Sequence, residues 1–429
     1  MTEPLVVGVD AGSSAARSIA ITRDGEVVGS GSGGYTNSSP AVGEVDPNTW
    51  LEGTVAAIVS LEMDPAAIGV GGHGPTTVAS SGELALTFRH PAGESSSPSE
   101  QHAAHTQVLR QTFGQHVEPR LLWDWVVAKL GARSDAQSVW PGVAALTEFG
   151  EPVPVGTAFG ATSGELGLAE GIPLVPVSND AYMTAWASGT YDPGRGFDPG
   201  GKTGGFGIAV ESGEHDNYGS MPSAVSGVYL RGGPVAAHGA LLDWWSEITG
   251  RSVPELIDLA AGVPPGSHGV MALPFLEGER APRWNPDLRA EIVGLHIDHG
   301  VGVITRALLE STAYGLAHIG RDLAAEGVVL DRLVCSGGPA RSALWAAIKA
   351  SVLEVPVDIP ACDEMAAYGA ALGAGAALGW WPRPGEGSVG SWPVPAMTTI
   401  EPEPSEVYRK GLVDFIELGD QAAAKISQT

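Results

Sequence analysis

Residues 196–203 read GFDPGGKT and satisfy the phosphate-loop pattern G-x-x-x-x-G-K-[ST] letter for letter. A loop of that kind works because a strand delivers it to a helix N-terminus, where loop amides and the helix dipole hold phosphate together. Neither neighbour fits. The preceding residues, AWASGTYDPGR (185–195), read as the tail of a helix and a turn, and the following GGFGIAVESG (204–213) reads as a strand. The string is therefore not read as a Walker-type site. Loop amides and hydroxyls at Gly201, Thr203 and Gly204 can still cradle an anion as a nest, which needs no helix. Lys202 is read equally as a phosphate contact or as a solvated loop lysine. A second match, GVGGHG (69–74), fits G-x-G-x-x-G, but PTTVASSGELAL follows it and reads as turn and strand. A dinucleotide site needs a helix there.

Working outward, the chain divides into strand-then-helix blocks. LVVGVDAG (5–12) is a short apolar run ending in Asp and Gly, the pattern of a buried strand. An Asp24-Gly25 pair between two apolar segments predicts a hairpin with a type I′ turn. Residues 46–62 predict a helix with Asp46 as N-cap and Pro47 at its first position. AIGVGGHG (67–74) is a strand entering a glycine loop, 90–105 a polar serine-rich loop, and 106–135 helical. The strand IPLVPVSND (172–180) runs into a short helix. From about 205 the same grammar repeats: a strand and turn, helices at 238–249 and 303–327, a strand at 330–338, the helix ALWAAIKASVL, a strand at 354–360 and a final Ala-rich helix. Two halves in similar order predict two related α/β domains with a boundary near 195.

Composition narrows the function. Across 429 residues, 23 Lys+Arg stand against 49 Asp+Glu, a formal charge of −26, so nucleic acid and anionic membranes are poor partners. Hydrophobic content of 43% supports a sizeable core, and 60 glycines with 32 prolines, scattered between periodic segments, indicate many tight turns. The two cysteines, Cys335 and Cys362, form neither a metal cluster nor a disulfide framework. The N-terminus has no basic, then apolar, leader pattern, and a cytoplasmic location is expected. The apolar stretch 365–381 has small residues at Gly369/Gly373 and Gly375/Gly379, which fits a core helix packed at close range.

Four segments cohere chemically. Asp10-Ala-Gly12-Ser13-Ser14 ends a strand, with Arg17 on the next, and a carboxylate beside such a turn suits hydrated Mg²⁺ next to phosphates. Asp180, at a strand-helix junction, can take a proton from a substrate hydroxyl, or can simply cap the helix. The loop 200–205 is the third. CSGGPARS (335–342) is the fourth, its Gly-Gly turn suited to close backbone approach to a flat ligand such as adenine.

Taken together these segments resemble the FGGY carbohydrate kinases of the actin/hexokinase/Hsp70 ATPase superfamily, and look most like the xylulokinase branch. VGVDAGSSAARSIAI (7–21) resembles that family's first phosphate motif, and VSNDAYMTAWASG (177–189) its G-D-x-x-A catalytic segment. DPGGKTGGFGIAV (198–210) resembles the second phosphate motif, more often G-T-S-G in relatives. LPFLEGERAPRWNPDLRAEIVGL (273–295) is similar to the family's L-P-Y-L-x-G-E-R-x-P-x-W-D-P stretch, and GLHIDHGVGVITRALLE (294–310) resembles its downstream signature. CSGGPARSALWAAIKASVLEVPVDIP (335–360) and DEMAAYGAALGAG (363–375) resemble the adenosine motif and its companion helix. Departures are equally specific. The chain is shorter between about 90 and 150, GGHGPTT (71–77) stands where xylulokinases carry a Met-His pair, Lys202 replaces a small residue, and Val303 sits where a polar residue is usual.

The resemblance implies two ribonuclease-H-like (actin-like ATPase) domains flanking a deep cleft: 1–195, shortened, on the sugar and phosphate side, and 196–429 binding ATP. It implies ATP-dependent phosphorylation of a hydroxyl on a small ketose or polyol, a xylulose-like pentulose foremost. A non-catalytic ATP- or sugar-binding relative is the alternative. Asp180 would be the catalytic base and Asp10 would organise Mg²⁺. Gly12, Ser13, Ser14, Arg17, Gly201, Lys202, Thr203 and Gly204 would lie near phosphates. Gly337, Gly338, Arg341 and Ser342 would lie near adenosine, and His73, Thr76, Asn179 and Asp180 near the acceptor. A homodimer would be in keeping with that family.

Overall fold

Leu5–Ala11 (LVVGVDA) is apolar and rich in valine up to Asp10, the composition of a strand covered on both faces. It forms the middle of a six-stranded sheet in a computed structural model that describes residues 3–35, 42–92, 98–143, 150–201, 203–211 and 219–426. Two compact units account for these residues. Unit 1 comprises 1–189, 222–226 and 364–395; unit 2 comprises 190–221, 227–363 and 396–429. The first passage between units follows Gly189, and the chain passes between them again at 222, 227, 364 and 396. The Ala-rich helix near the end of the chain belongs to unit 1, not to the second half.

In unit 1, Leu5–Ala11 pairs antiparallel with Ala15–Thr22, which pairs antiparallel with Val27–Gly34. On its other side it pairs parallel with Ile68–Gly72, which pairs parallel with Pro173–Asn179. Unit 2 repeats the plan. Arg195–Asp198 pairs antiparallel with Thr203–Val210, then Tyr229–Ala237 follows, while Arg332–Cys335 and Val357–Pro360 add in parallel on the other side. Each unit therefore places the carboxyl ends of three parallel strands at one sheet edge, where α/β folds hold ligands.

The helix Met365–Ala377 covers the unit 1 sheet, and its glycines and alanines set the distance. A Cβ on Gly69 would stand 1.9 Å from the Ala370 carbonyl oxygen, and one on Gly8 would stand 2.0 Å from that of Ala367. The sheet and the helix backbone touch directly, as the small-residue spacing predicted. Gly69→Ala is therefore expected to destabilise the fold by about 1–3 kcal/mol, and a urea midpoint equal to wild type would refute that packing. Among the described residues no helix is long and apolar enough to cross a membrane.

Three local expectations change. The 90–105 segment is not all loop, because Pro98–Phe113 is helical. Its few apolar side chains, Leu109, Val108 and Phe113, pack on a small cluster with Ala79, Leu86 and Val117. The stretch 106–135 is not one helix either, since the strand Pro119–Leu121 separates Pro98–Phe113 from Leu122–Leu130. At the first hairpin only Gly25 has positive φ, +84°, and its N–H donates to the Thr22 carbonyl at 3.0 Å. The loop is thus three residues long, a turn followed by a glycine bulge, in place of a type I′ turn. Asp46 meets its helix as read: Pro47, just ahead of Asn48–Val59, already has helical angles (φ −64°, ψ −21°), and Asp46 Oδ1 accepts the Asn48 N–H at 3.0 Å.

Candidate active site

The chemistry in unit 1 gathers where its parallel strands end. Asp10 is the penultimate residue of Leu5–Ala11 and lies opposite Arg17 in the register. Its Oδ1 is buried without a hydrogen-bond partner. Burial, reinforced by the carboxylates of Asp180 and Glu364 and opposed by Arg17, pushes its pKa up to about 8. The Glu364 Oε1 lies 3.5 Å from Arg17 Nε, so the guanidinium is engaged on this side of the sheet. Tyr35 joins the group, its phenol raised by burial and by the Asp10 charge. A Cβ on Gly12 would come within 3.4 Å of Asp10 Oδ2, which keeps the turn backbone close to that carboxylate. The Gly12 carbonyl accepts the Trp50 indole N–H at 2.9 Å, and Ser13 and Ser14 are exposed beside it.

Asp180 opens the helix Asp180–Ala187, but it is not the cap. Asn179 has that role, its Oδ1 accepting the Tyr182 N–H at 3.0 Å. The Asp180 carboxylate is instead anchored through Oδ1, which accepts the Ala181 N–H at 2.9 Å. Burial raises its pKa to about 6, partly offset by the Ala181 hydrogen bond. The helix is held from behind by aromatic contacts: Trp140 lies 4.8 Å from Tyr182 and 5.8 Å from Trp186, measured between ring centroids.

The GGHGPTT loop reaches the same place. The His73 N–H donates to the Ala11 carbonyl at 3.0 Å, and His73 Nδ1 lies 3.3 Å from Thr76 Oγ1. A Cβ on Gly74 would sit 2.9 Å from that of Asn179. Burial, with a smaller contribution from Arg89, lowers the His73 pKa to about 4, so its imidazole is neutral at pH 7. Asp10, Gly12, His73, Asn179 and Asp180 thus come together within unit 1.

In unit 2 the two glycine loops pack on each other. Gly200 and Gly201 have φ of +64° and +91°, and a Cβ on Gly200 would strike the Ser336 carbonyl at 2.1 Å. Ser336 Oγ donates to the Pro199 carbonyl at 3.1 Å. The loop expected at phosphates and the loop expected at adenosine are therefore one surface. Gly338 is exposed, with open space where a Cβ would be. Ser342 caps the helix Ala343–Leu353 by accepting the Trp345 N–H, and Arg341 pairs with Asp363 at 3.1 Å. Lys202 lies outside the described residues; Thr203 and Gly204 enter the strand Thr203–Val210.

Several residues in these surroundings went unread from sequence: Glu364 and Tyr35 near Asp10, and Asp198, His238 and Lys349 beneath the unit 2 loop. A carboxylate directly ahead of the helix Met365–Ala377 was the available signal for Glu364. The charged partners in unit 2 lie far apart in the chain and had none.

Similarity to known proteins agrees with the geometry. Residues 209–378 match the C-terminal domain of the FGGY family of carbohydrate kinases. A glycerol kinase of Saccharopolyspora erythraea is 31% identical over 227 residues, covering 51% of this chain and 45% of that protein. The matched stretch spans less than half the length of the curated relatives. Among solved structures, a xylulose kinase from Rhodospirillum rubrum has a TM-score of 0.77 at 24% identity, covering 98% of this chain and 99% of that one. A gluconate kinase from Lactobacillus acidophilus has 0.82 at 18% identity, covering 99% of both. Residues 209–378 therefore belong to the FGGY family as its C-terminal domain, in a chain that carries the two-domain actin-like ATPase fold of the FGGY kinases.

Proposed function

We propose that the chain is an ATP-dependent carbohydrate kinase, transferring the γ-phosphoryl group to a hydroxyl of a small ketose or polyol. A xylulose-like pentulose is the leading acceptor. The observation that carries the reading is the pair of carboxylates, Asp10 and Asp180, at the carboxyl ends of parallel strands in unit 1, both with raised pKa. Their environments differ, which separates their tasks.

Asp180 is ionised at pH 7 and is the base. Its Oδ1 is fixed by the Ala181 N–H, so the carboxylate is oriented before the acceptor arrives, and it accepts the hydroxyl proton as the new P–O bond forms. His73, neutral, and Thr76 orient the acceptor by hydrogen bonds, with the Asn179 backbone beside them. The loops at 200–204 and 336–338 in unit 2 hold the nucleotide, backbone amides meeting phosphates.

Magnesium fits Asp10. That carboxylate has a buried oxygen without a partner, and Mg²⁺ binds through one or two carboxylates plus waters and substrate phosphates. When bound, the ion neutralises charge on the nucleotide's phosphates. The cytoplasm is the proposed compartment.

The test is ADP release with Mg-ATP over a panel of acceptors including xylulose, glycerol and gluconate. Turnover on one acceptor supports the kinase and names its substrate. ATP binding without turnover on any acceptor would favour a non-catalytic relative.

A further inference from the structure

Beneath the unit 2 loop lies a charged group that the proposed chemistry does not use directly. Asp198, the last residue of Arg195–Asp198, is 1% exposed, and Lys349, on the helix Ala343–Leu353, is also 1% exposed. Lys349 Nζ donates to Asp198 Oδ2 at 2.5 Å. His238 Nε2 lies 3.4 Å from the same oxygen, and Cys335 Sγ 3.9 Å. The ammonium also lies 5.2 Å from the centre of the Trp345 ring, on which His238 stacks. The other carboxylate oxygen faces the loop: Asp198 Oδ1 accepts the Gly200 N–H at 3.0 Å.

Burial opposes both charges, yet each is held by the other. Asp198 is kept well below the usual carboxylate range by Lys349 and His238 against the cost of desolvation, and Lys349 is kept charged by Asp198. Stability alone does not account for such a pair, since apolar replacements of similar volume are often neutral or stabilising. Its position does. An unpaired carboxylate under a loop that receives phosphates would repel them, and at low dielectric that repulsion is strong.

We propose that Lys349 is a positioning residue for nucleotide phosphates: it cancels the Asp198 charge and fixes the carboxylate that holds the Gly200–Gly201 turn. This rests on the reading of that loop as a phosphate site. Because Lys349 is buried and reaches the loop only through Asp198, its effect must scale with the charge on the nucleotide and spare adenosine.

Calorimetric titration with ATP and Mg²⁺, and separately with adenosine, tests this. Lys349→Met is expected to weaken ATP at least about tenfold and adenosine less than about threefold. Adding Asp198→Asn, which removes the stranded charge and keeps an acceptor for Gly200, is expected to return ATP affinity to within about threefold of wild type. A purely structural role would weaken both ligands by one factor. Equal weakening, unchanged ATP binding, or a double variant no better than the single overturns the proposal. Should Lys349→Met not fold, Asp198→Asn alone carries the test. The uncancelled ammonium must then favour ATP over adenosine more than in the double variant, and an equal or lower preference overturns it. A wild-type protein that binds neither ligand overturns the reading of the loop itself, and the proposal with it. One that binds ATP but phosphorylates nothing overturns only the kinase.

Discussion

Asp180→Asn is expected to lower turnover about 10²–10⁴-fold while ATP affinity stays within about twofold of wild type. The substitution is nearly isosteric. The Ala181 N–H keeps an acceptor, Asn179 still caps the helix, and the aromatic contacts behind the helix are untouched. What disappears is the site for the acceptor's proton. The glycine loops proposed to hold the nucleotide belong to the other unit. The pH profile sharpens the test. Burial raises the Asp180 pKa from 3.8 to about 6, so the base is protonated and idle well below pH 6 and ionised above it. Wild-type kcat should rise about tenfold per pH unit below about 6 and level off above it, whereas the residual activity of Asp180→Asn should lack that inflection. A variant retaining more than a tenth of wild-type kcat, or sharing the inflection, would remove Asp180 from the role of base. Lys202→Ala gives the contrast. A Walker-type reading requires it to abolish nucleotide binding and Asp180→Asn to be silent.

Much of this arrangement was legible because its signals are local. Asp10 and Asp180 stand where apolar runs of strand length stop, and a strand's end is marked by neighbouring residues alone. The Walker-like letters read the same way: in the structure Gly196, Phe197 and Asp198 end one strand, Thr203 opens the next, and no helix follows. The spacing of small residues in 365–381 likewise announced a helix meeting backbone at close range, as Gly8 and Gly69 show.

Other features failed for physical reasons. Pro98–Phe113 is polar along most of its length and rests on a small satellite cluster, so its periodicity is faint. Its start signals, Pro98 and Glu100 in the first turn, were present and were outweighed by the serines ahead of them. The Asp198–Lys349 pair has no local signature, because its members are brought together only by the parallel pairing of Arg195–Asp198 with Arg332–Cys335 and the helix that follows. Membership of Met365–Ala377 in unit 1 is equally non-local. Sequence order places that helix after the second set of strands, and its packing against Leu5–Ala11 is decided by glycines more than 300 residues earlier.

The second large effect concerns Asp10, where function and stability are expected to move in opposite directions. Its Oδ1 is buried and unpartnered, two further carboxylates act on it unfavourably, and Arg17, which opposes them, is paired with Glu364. A carboxylate so placed costs the metal-free fold on the order of a few kcal/mol at neutral pH. Asp10→Asn keeps the shape and removes the charge, so the variant should unfold several degrees above wild type in EDTA. Turnover should fall at least about 10²-fold, because the group that suits Mg²⁺ is gone. The two readouts bind each other. Mg²⁺ with ADP should raise the melting temperature of wild type beyond ADP alone and should add nothing to Asp10→Asn. A carboxylate with a merely structural role would give a less stable variant with its Mg²⁺ response intact. That outcome would remove Asp10 from the metal site, whereas stabilisation joined to loss of the Mg²⁺ response would show a residue kept for its chemistry at the fold's expense.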